Sequence, residues 1–216
     1  FFCISYAVYD LLPLSMKAHY KRYVLKFRCP GVTSRGVLRE KETWFLFLTD
    51  GNKTGVGECG LYRGLSSDDK PDYEDQLKFL CQRINQNEML SVESLQCFPS
   101  IQMGYETALL SLKSEDPFQL FPSPFTRGVD KIPINGLVWM GDRSYMKAQI
   151  EEKIAQGFDC IKLKIGALDF NEEYSLLEEI RNNYSTEKIM LRVDANGAFA
   201  PEEVMDKLQS LSNLEI

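Results

Sequence analysis

The chain has 216 residues, 44% hydrophobic and 26% charged, the composition of a folded globular protein long enough for one or two domains. Its 31 acidic and 25 basic residues leave a formal net charge of -6, with no basic stripe to neutralise phosphates, which argues against nucleic-acid binding. No apolar run reaches the roughly 18 residues of a membrane-spanning helix, and the six cysteines form no CxxC pair, fitting neither a zinc ribbon nor a small disulfide scaffold.

Phe1 to Tyr9 are apolar but short, without a basic leader or a small-residue cleavage site, and read as an edge strand rather than a secretion signal. The cysteines are expected to be reduced core thiols of a cytoplasmic protein. His19 is the one histidine, which leaves no His-rich metal site and no Ser-His-Asp triad unless His19 itself serves; in its polar stretch it is expected at the surface. Ala18–Phe27, Thr43–Thr49 and Gly55–Cys59 are rich in aromatic and β-branched residues and predict an antiparallel meander, with Asp50-Gly51-Asn52 as a turn. Pro30–Gly36 reads as a polar loop between the first two strands, and Gly60–Lys70 as a second loop after the third; such loops often carry function. Helical spacing predicts helices over Tyr73–Asn85, through Leu77, Leu80, Cys81 and Ile84, and over Ile101–Lys113, through Tyr105, Ala108, Leu109 and Leu112. Asp116–Pro124 reads as a Pro-rich linker or wrap.

From Lys131 the pattern becomes strand, helix, strand. Ile132–Val138 predicts a strand, and Asp142 or Ser144 caps a helix carrying Met146, Ile150 and Ile154, which Gly157 ends. A strand over Asp159–Gly166 precedes a helix over Asn171–Asn183 with Tyr174, Leu177 and Ile180 inward. Ile189–Ala195 is a third strand, and Pro201 opens a helix carrying Val204, Leu208 and Leu211. Three βα units in a row imply parallel strands covered by helices.

Alternation puts Ile161, Leu163 and Ile165 on one face of the second strand and Lys162 and Lys164 on the other. The apolar face should meet the helices, so the lysines project into the barrel interior or a crevice, with Cβ atoms about 7 Å apart. Mutual repulsion and partial burial favour the neutral amine, a physical route to a lysine base. Two solvated surface lysines are the plainer alternative. The third strand repeats the logic: Leu191 and Val193 face one way, Arg192 and Asp194 the other. Asp194 lies at the C-terminal strand end, where barrel active sites are built, and a carboxylate there suits a hard cation such as Mg²⁺. A turn or helix-capping aspartate is again the plainer alternative.

Lys162-Leu163-Lys164 followed by Arg192-Val193-Asp194-Ala195-Asn196 resembles the muconate-lactonising subgroup of the enolase superfamily, in which KxK ends the second barrel strand and an aspartate ends the third. Ser34-Arg35-Gly36, Gly57–Leu61 and Asn135–Gly141 resemble o-succinylbenzoate synthases of the Bacteroidetes type, and the resemblance spans essentially the whole chain. It implies an α/β fold with an α+β cap: a capping domain over 1–125, and over 126–216 the first three βα units of a TIM-type barrel. A complete barrel typically needs ~250 residues; the family's remaining acidic ligands and its second catalytic lysine would follow Ile216, so this fragment alone is expected to be inactive.

The resemblance further implies a cytoplasmic, Mg²⁺-dependent lyase of menaquinone biosynthesis. It would dehydrate 2-succinyl-6-hydroxy-2,4-cyclohexadiene-1-carboxylate, a small-molecule carboxylate, to o-succinylbenzoate through a metal-stabilised enediolate. Lys164 would abstract the α-proton and then protonate the departing hydroxyl. Lys162 would help neutralise the carboxylate, and Asp194 would be one of three metal ligands. Arg192 and Asn196 would orient the cluster, and Ser34 and Arg35 would lie on a substrate-facing loop. N-succinylamino acid racemase, dipeptide epimerase and a non-catalytic binding scaffold stay open as alternatives, as does the oligomeric state, a homodimer among the options.

Overall fold

The computed structural model describes residues 15–33, 36–88 and 90–216. The edge strand expected at the start, Cys3, and the loop residues Ser34 and Arg35 lie outside the described residues. The chain divides into two compact units, Phe1–Cys29 with Arg39–Lys131 and Pro30–Leu38 with Ile132–Ile216.

A three-stranded sheet, most of it in the first unit, has the order β1 (Lys17–Thr33), β2 (Gly36–Thr49), β3 (Thr54–Leu61). β2 and β3 run antiparallel, from Thr49 opposite Thr54 to Glu42 opposite Leu61. Asp50 Oδ1 closes the turn between them by accepting from the backbone N–H groups of Asn52 and Lys53, each at 2.8 Å. The seven-residue loop expected at Pro30–Gly36 is instead mostly strand, because β1 runs to Thr33 and β2 starts at Gly36. β-branched Val32, Thr33 and Val37 favour extended backbone, and Pro30 is tolerated because β1 is an edge strand.

Trp44, Leu46 and Leu48 alternate inward along β2 and are at most 1% exposed. They join one core with Cys59, Leu61, and residues of α1 (Tyr73–Asn85) and α2 (Pro99–Lys113), among them Leu77, Leu80, Ile101, Tyr105 and Leu109. Of the described cysteines only Cys59 and Cys81 are buried; Cys29 and Cys97 are exposed and Cys160 lies between, so the expectation of core thiols holds for two. His19 is exposed and stacks on Phe47. A short 3₁₀ helix, Val92–Leu95, was not anticipated; its four residues are too few for periodicity to reveal. α2 has no capping side chain of its own, but buried Asp68 accepts from the backbone N–H and hydroxyl of Ser100, at 2.8 and 2.7 Å.

The second unit is built from β4 (Gly136–Val138), α3 (Arg143–Ala155), β5 (Cys160–Lys164), α4 (Phe170–Asn183), β6 (Met190–Asp194) and α5 (Val204–Ser212). Its sheet is parallel, in the order β4-β5-β6. Three strands covered by helices make an open sheet and no closed barrel. β4 is shorter than expected: Ile132 and Ile134 are 55% and 70% exposed, and Pro133 between them has no N–H for a ladder. Asp142 rather than Ser144 caps α3, accepting from the Tyr145 N–H at 2.9 Å, and Ser144 donates its hydroxyl to the same carboxylate. Of the apolar residues that α5 carries, Leu208 is 50% exposed, whereas Leu211 is buried. Among the described residues no helix is long and apolar enough to cross a membrane.

In the first unit β3 and α2 approach each other closely. A Cβ on Gly57 would stand 1.8 Å from the Gly104 carbonyl oxygen, and one on Gly55 2.2 Å from that of Ala108. Gly57→Ala should therefore push the helix off the strand at a cost of about 3 kcal/mol or more, the upper end for overpacking. Urea denaturation would show this as a lowered midpoint; a wild-type midpoint would mean that α2 can retreat freely.

Candidate active site

The helix side of the parallel sheet is apolar throughout. Ile161, Leu163, Ile165 and Leu191 are at most 3% exposed and share one core with Met146, Ile150, Leu176, Leu177, Ile180 and Leu211. Alternation sends the intervening residues to the other face. Register then arranges them in rows across the strands. Leu137 lies opposite Lys162, and Lys162 opposite Arg192. One step toward the C-terminal ends, Lys164 lies opposite Asp194, and Trp139, one residue past β4, has the same phase.

The two lysines find different partners. Lys162 Nζ lies 2.7 Å from Asp194 Oδ2, each side chain about one-third exposed at 33%. Lys164 Nζ lies over the Trp139 ring, 4.4 Å from its centroid. The repulsion expected between the two ammonium groups is thus offset on one side by a carboxylate and on the other by an aromatic face. Asp194 Oδ1 accepts from the Asn196 N–H at 3.0 Å. Lys162, together with that N–H, holds the Asp194 carboxyl below the ordinary carboxylate range. Asn196 is exposed, has φ of 49° and turns the chain immediately after β6. Arg192 is exposed and, with Asn135, Lys162, Leu208, Leu211 and Ile216, lines a cavity of about 490 Å³.

Two residues of this neighbourhood escaped the sequence reading. Glu173, on α4, is 2% exposed, and its carboxylate accepts four hydrogen bonds from three consecutive N–H groups. Gly166 donates to both oxygens at 2.8 Å, and Ala167 and Leu168 each donate at 3.1 Å. The turn after Lys164 is thereby tied down, and Gly166, at φ of 96°, sits so close to the next loop that a Cβ would meet that of Ala198 at 2.5 Å. The available signal was an acidic residue in helical phase with Leu177 and Ile180. Trp139 is the other, and its signal was that Leu137 and Trp139 alternate in step with Lys162 and Lys164.

The Asp194 carboxylate is a hard oxygen donor of the kind that Mg²⁺ takes. Among the described residues no cluster of three or more His, Cys, Asp or Glu side chains could cage a metal ion. The chain therefore fits one corner of a Mg²⁺ site and not the whole of it.

Residues 145–216 match the family model described as Enolase C-terminal domain-like. The chain is 37% identical to the o-succinylbenzoate synthase of Desulfotalea psychrophila (strain LSv54 / DSM 12343) over 232 residues, covering 93% of this chain and 63% of the relative. The crystal structure of MenC from Desulfotalea psychrophila LSv54 superposes with a TM-score of 0.76 at 33% identity, covering 94% of this chain and 63% of that one. The o-succinylbenzoate synthase of Thermosynechococcus elongatus BP-1, solved with Mg in its active site, gives 0.69 at 21% identity over 92% of this chain and 57% of that one. An L-Ala-D/L-Glu epimerase gives 0.68 at 19% identity over 94% and 60%, and these last two likenesses show the fold alone. The chain spans less than two thirds of the length of these relatives.

The class is plain: the chain has the enolase-superfamily fold, with the first βα units of the barrel present and the barrel incomplete within it. Within that class its sequence likeness runs to o-succinylbenzoate synthase.

Two outcomes test this geometry. The folded Asp194 carboxyl titrates below its unfolded value, so its contribution to stability is complete above the unfolded value and is lost as pH falls through the lowered folded one. Lys162→Met should move the Asp194 transition to higher pH in ¹³C NMR titration; an unmoved transition would mean that the ion pair does not hold in solution. Glu173→Ala should cost on the order of 2–4 kcal/mol, because three N–H groups lose a charged acceptor. Chemical denaturation measures this, and a loss below 0.5 kcal/mol (about the scatter of a surface substitution) would contradict it.

Proposed function

We propose that the complete gene product carrying this chain is an o-succinylbenzoate synthase. It converts 2-succinyl-6-hydroxy-2,4-cyclohexadiene-1-carboxylate to o-succinylbenzoate and water, a step of menaquinone biosynthesis. The observation that carries this reading is the row of Lys164 and Asp194, with Lys162 reaching Asp194, at the C-terminal strand ends of a chain 37% identical to such an enzyme. In this reading residues 1–125 form the cap, residues 126–216 begin the barrel, and the protein works in the cytoplasm on a small carboxylate.

Lys164 takes the α-proton of the ring carbon that bears the carboxylate. The C–O bond to the hydroxyl then breaks, the ring becomes aromatic, and the Lys164 ammonium returns its proton to the departing oxygen, so that one water leaves and the amine is regenerated. Lys162 leaves Asp194 Oδ2 and sets its charge against the substrate carboxylate. Asp194 would be one ligand of Mg²⁺, which when bound would supply Lewis-acid polarisation of that carboxylate. Arg192 and Asn196 orient the cluster.

Lys164→Ala in the complete gene product should lower turnover of the cyclohexadiene carboxylate by roughly 10²–10⁴-fold with an unchanged circular dichroism spectrum. Lys164→Arg should be as inactive, because guanidinium does not give up its proton near neutral pH. Wild-type turnover by Lys164→Ala would remove the lysine from its role. Racemisation of N-succinylamino acids without any dehydration by the wild type would move the protein to another reaction of the superfamily.

A further inference from the structure

We propose that Trp139 is a positioning residue for Lys164, with Gln149 fixing Trp139 in turn; this rests on the role of Lys164 given above. Lys164 Nζ lies 4.4 Å from the Trp139 ring centroid, over its face. A lysine has four rotatable side-chain bonds, and an aromatic face attracts its ammonium without forming a directional bond, so the nitrogen is confined while its protons stay free. The arrangement also suits the chemistry. When Lys164 takes a proton, positive charge appears at Nζ, and the negative face of the indole is already there to meet it. Charge stabilisation present before the step costs no reorganisation during it.

The residue that carries the indole is itself held at its backbone. β4 ends at Val138, where the backbone of residue 139 would lose its ladder partners. The Gln149 side chain supplies both: Oε1 accepts from the Trp139 N–H at 3.0 Å, and Nε2 donates to the Trp139 carbonyl at 3.1 Å. Gln149 sits on α3 beside Ile150, which is buried in the unit's core. The helix that covers the sheet therefore also fixes the residue that holds the lysine. Core packing is a poor account of Trp139: it is 39% exposed, against 1% for Trp44, the other tryptophan of the chain.

Two readouts test the proposal. The two tryptophans should give two indole N–H signals in a ¹H–¹⁵N spectrum, and Lys164→Met should shift that of Trp139 and leave that of Trp44 in place; an unmoved Trp139 signal would overturn the contact. In the complete gene product, Trp139→Leu should lower kcat at least tenfold with KM within twofold of wild type, and Trp139→Phe, which keeps an aromatic face, should restore kcat to within threefold. Wild-type kcat in Trp139→Leu, a loss confined to KM, or a Phe variant as poor as the Leu variant would each overturn positioning. Should Trp139→Leu fail to fold, Gln149→Met frees the backbone of residue 139 and keeps the indole: reduced kcat at constant KM supports the proposal, and wild-type kcat overturns it. A wild-type protein that does not dehydrate the cyclohexadiene carboxylate would refute the assigned reaction, while the indole shift still decides the Trp139–Lys164 contact.

Discussion

A parallel strand covered by helices must be apolar on its helix face, and that requirement places every charged group of the candidate site. Ile161, Leu163 and Leu191 satisfy it by burying almost completely against α3, α4 and α5. The residues between them have one face left. Lys162, Lys164, Arg192 and Asp194 are gathered there by alternation, and in-register pairing brings Lys164 and Asp194 side by side at the strand ends. A one-residue slip would send the charges into the core, so the same burial that stabilises the unit fixes the positions of these charged groups.

Around these strands, polar groups are satisfied by side chains reaching from helices. Glu173 reaches from α4 to three N–H groups of the turn after Lys164, and Gln149 reaches from α3 to the backbone of Trp139. Both contacts lie where a strand has ended and its backbone would otherwise lack partners. The first unit uses the same device away from this chemistry, with Asp68 capping α2 from a loop. The loops at the C-terminal strand ends are thereby tied to the helices that cover the sheet.

Much of this was legible in the residues. The strand Cys160–Lys164 and the helix Tyr73–Asn85 follow directly from period-2 and period-3.6 spacing, and the lysine face follows from alternation. The resemblance of KxK and DAN to the enolase superfamily agrees with the fold that the comparisons show. The extent of β1, the shortness of β4 and the exposure of Leu208 depend on what each segment meets in space, which local pattern does not encode. Glu173 and Trp139 were harder for a related reason. A carboxylate on an amphipathic helix and a tryptophan in an apolar strand both look ordinary until the partner three-dimensional contact is known: a trio of backbone N–H groups for one, a lysine ammonium for the other.

In the proposed reading the C-terminal ends of β5 and β6 form the reactive centre. Paramagnetic NMR of the complete gene product with Mn²⁺ in place of Mg²⁺ tests it most directly. The amide signals of Lys164, Ile165, Asp194 and Asn196 should broaden first, and Asp194→Ala should abolish the selectivity. Mn²⁺ that left the β5 and β6 ends sharp, or broadened them equally in Asp194→Ala, would contradict the account.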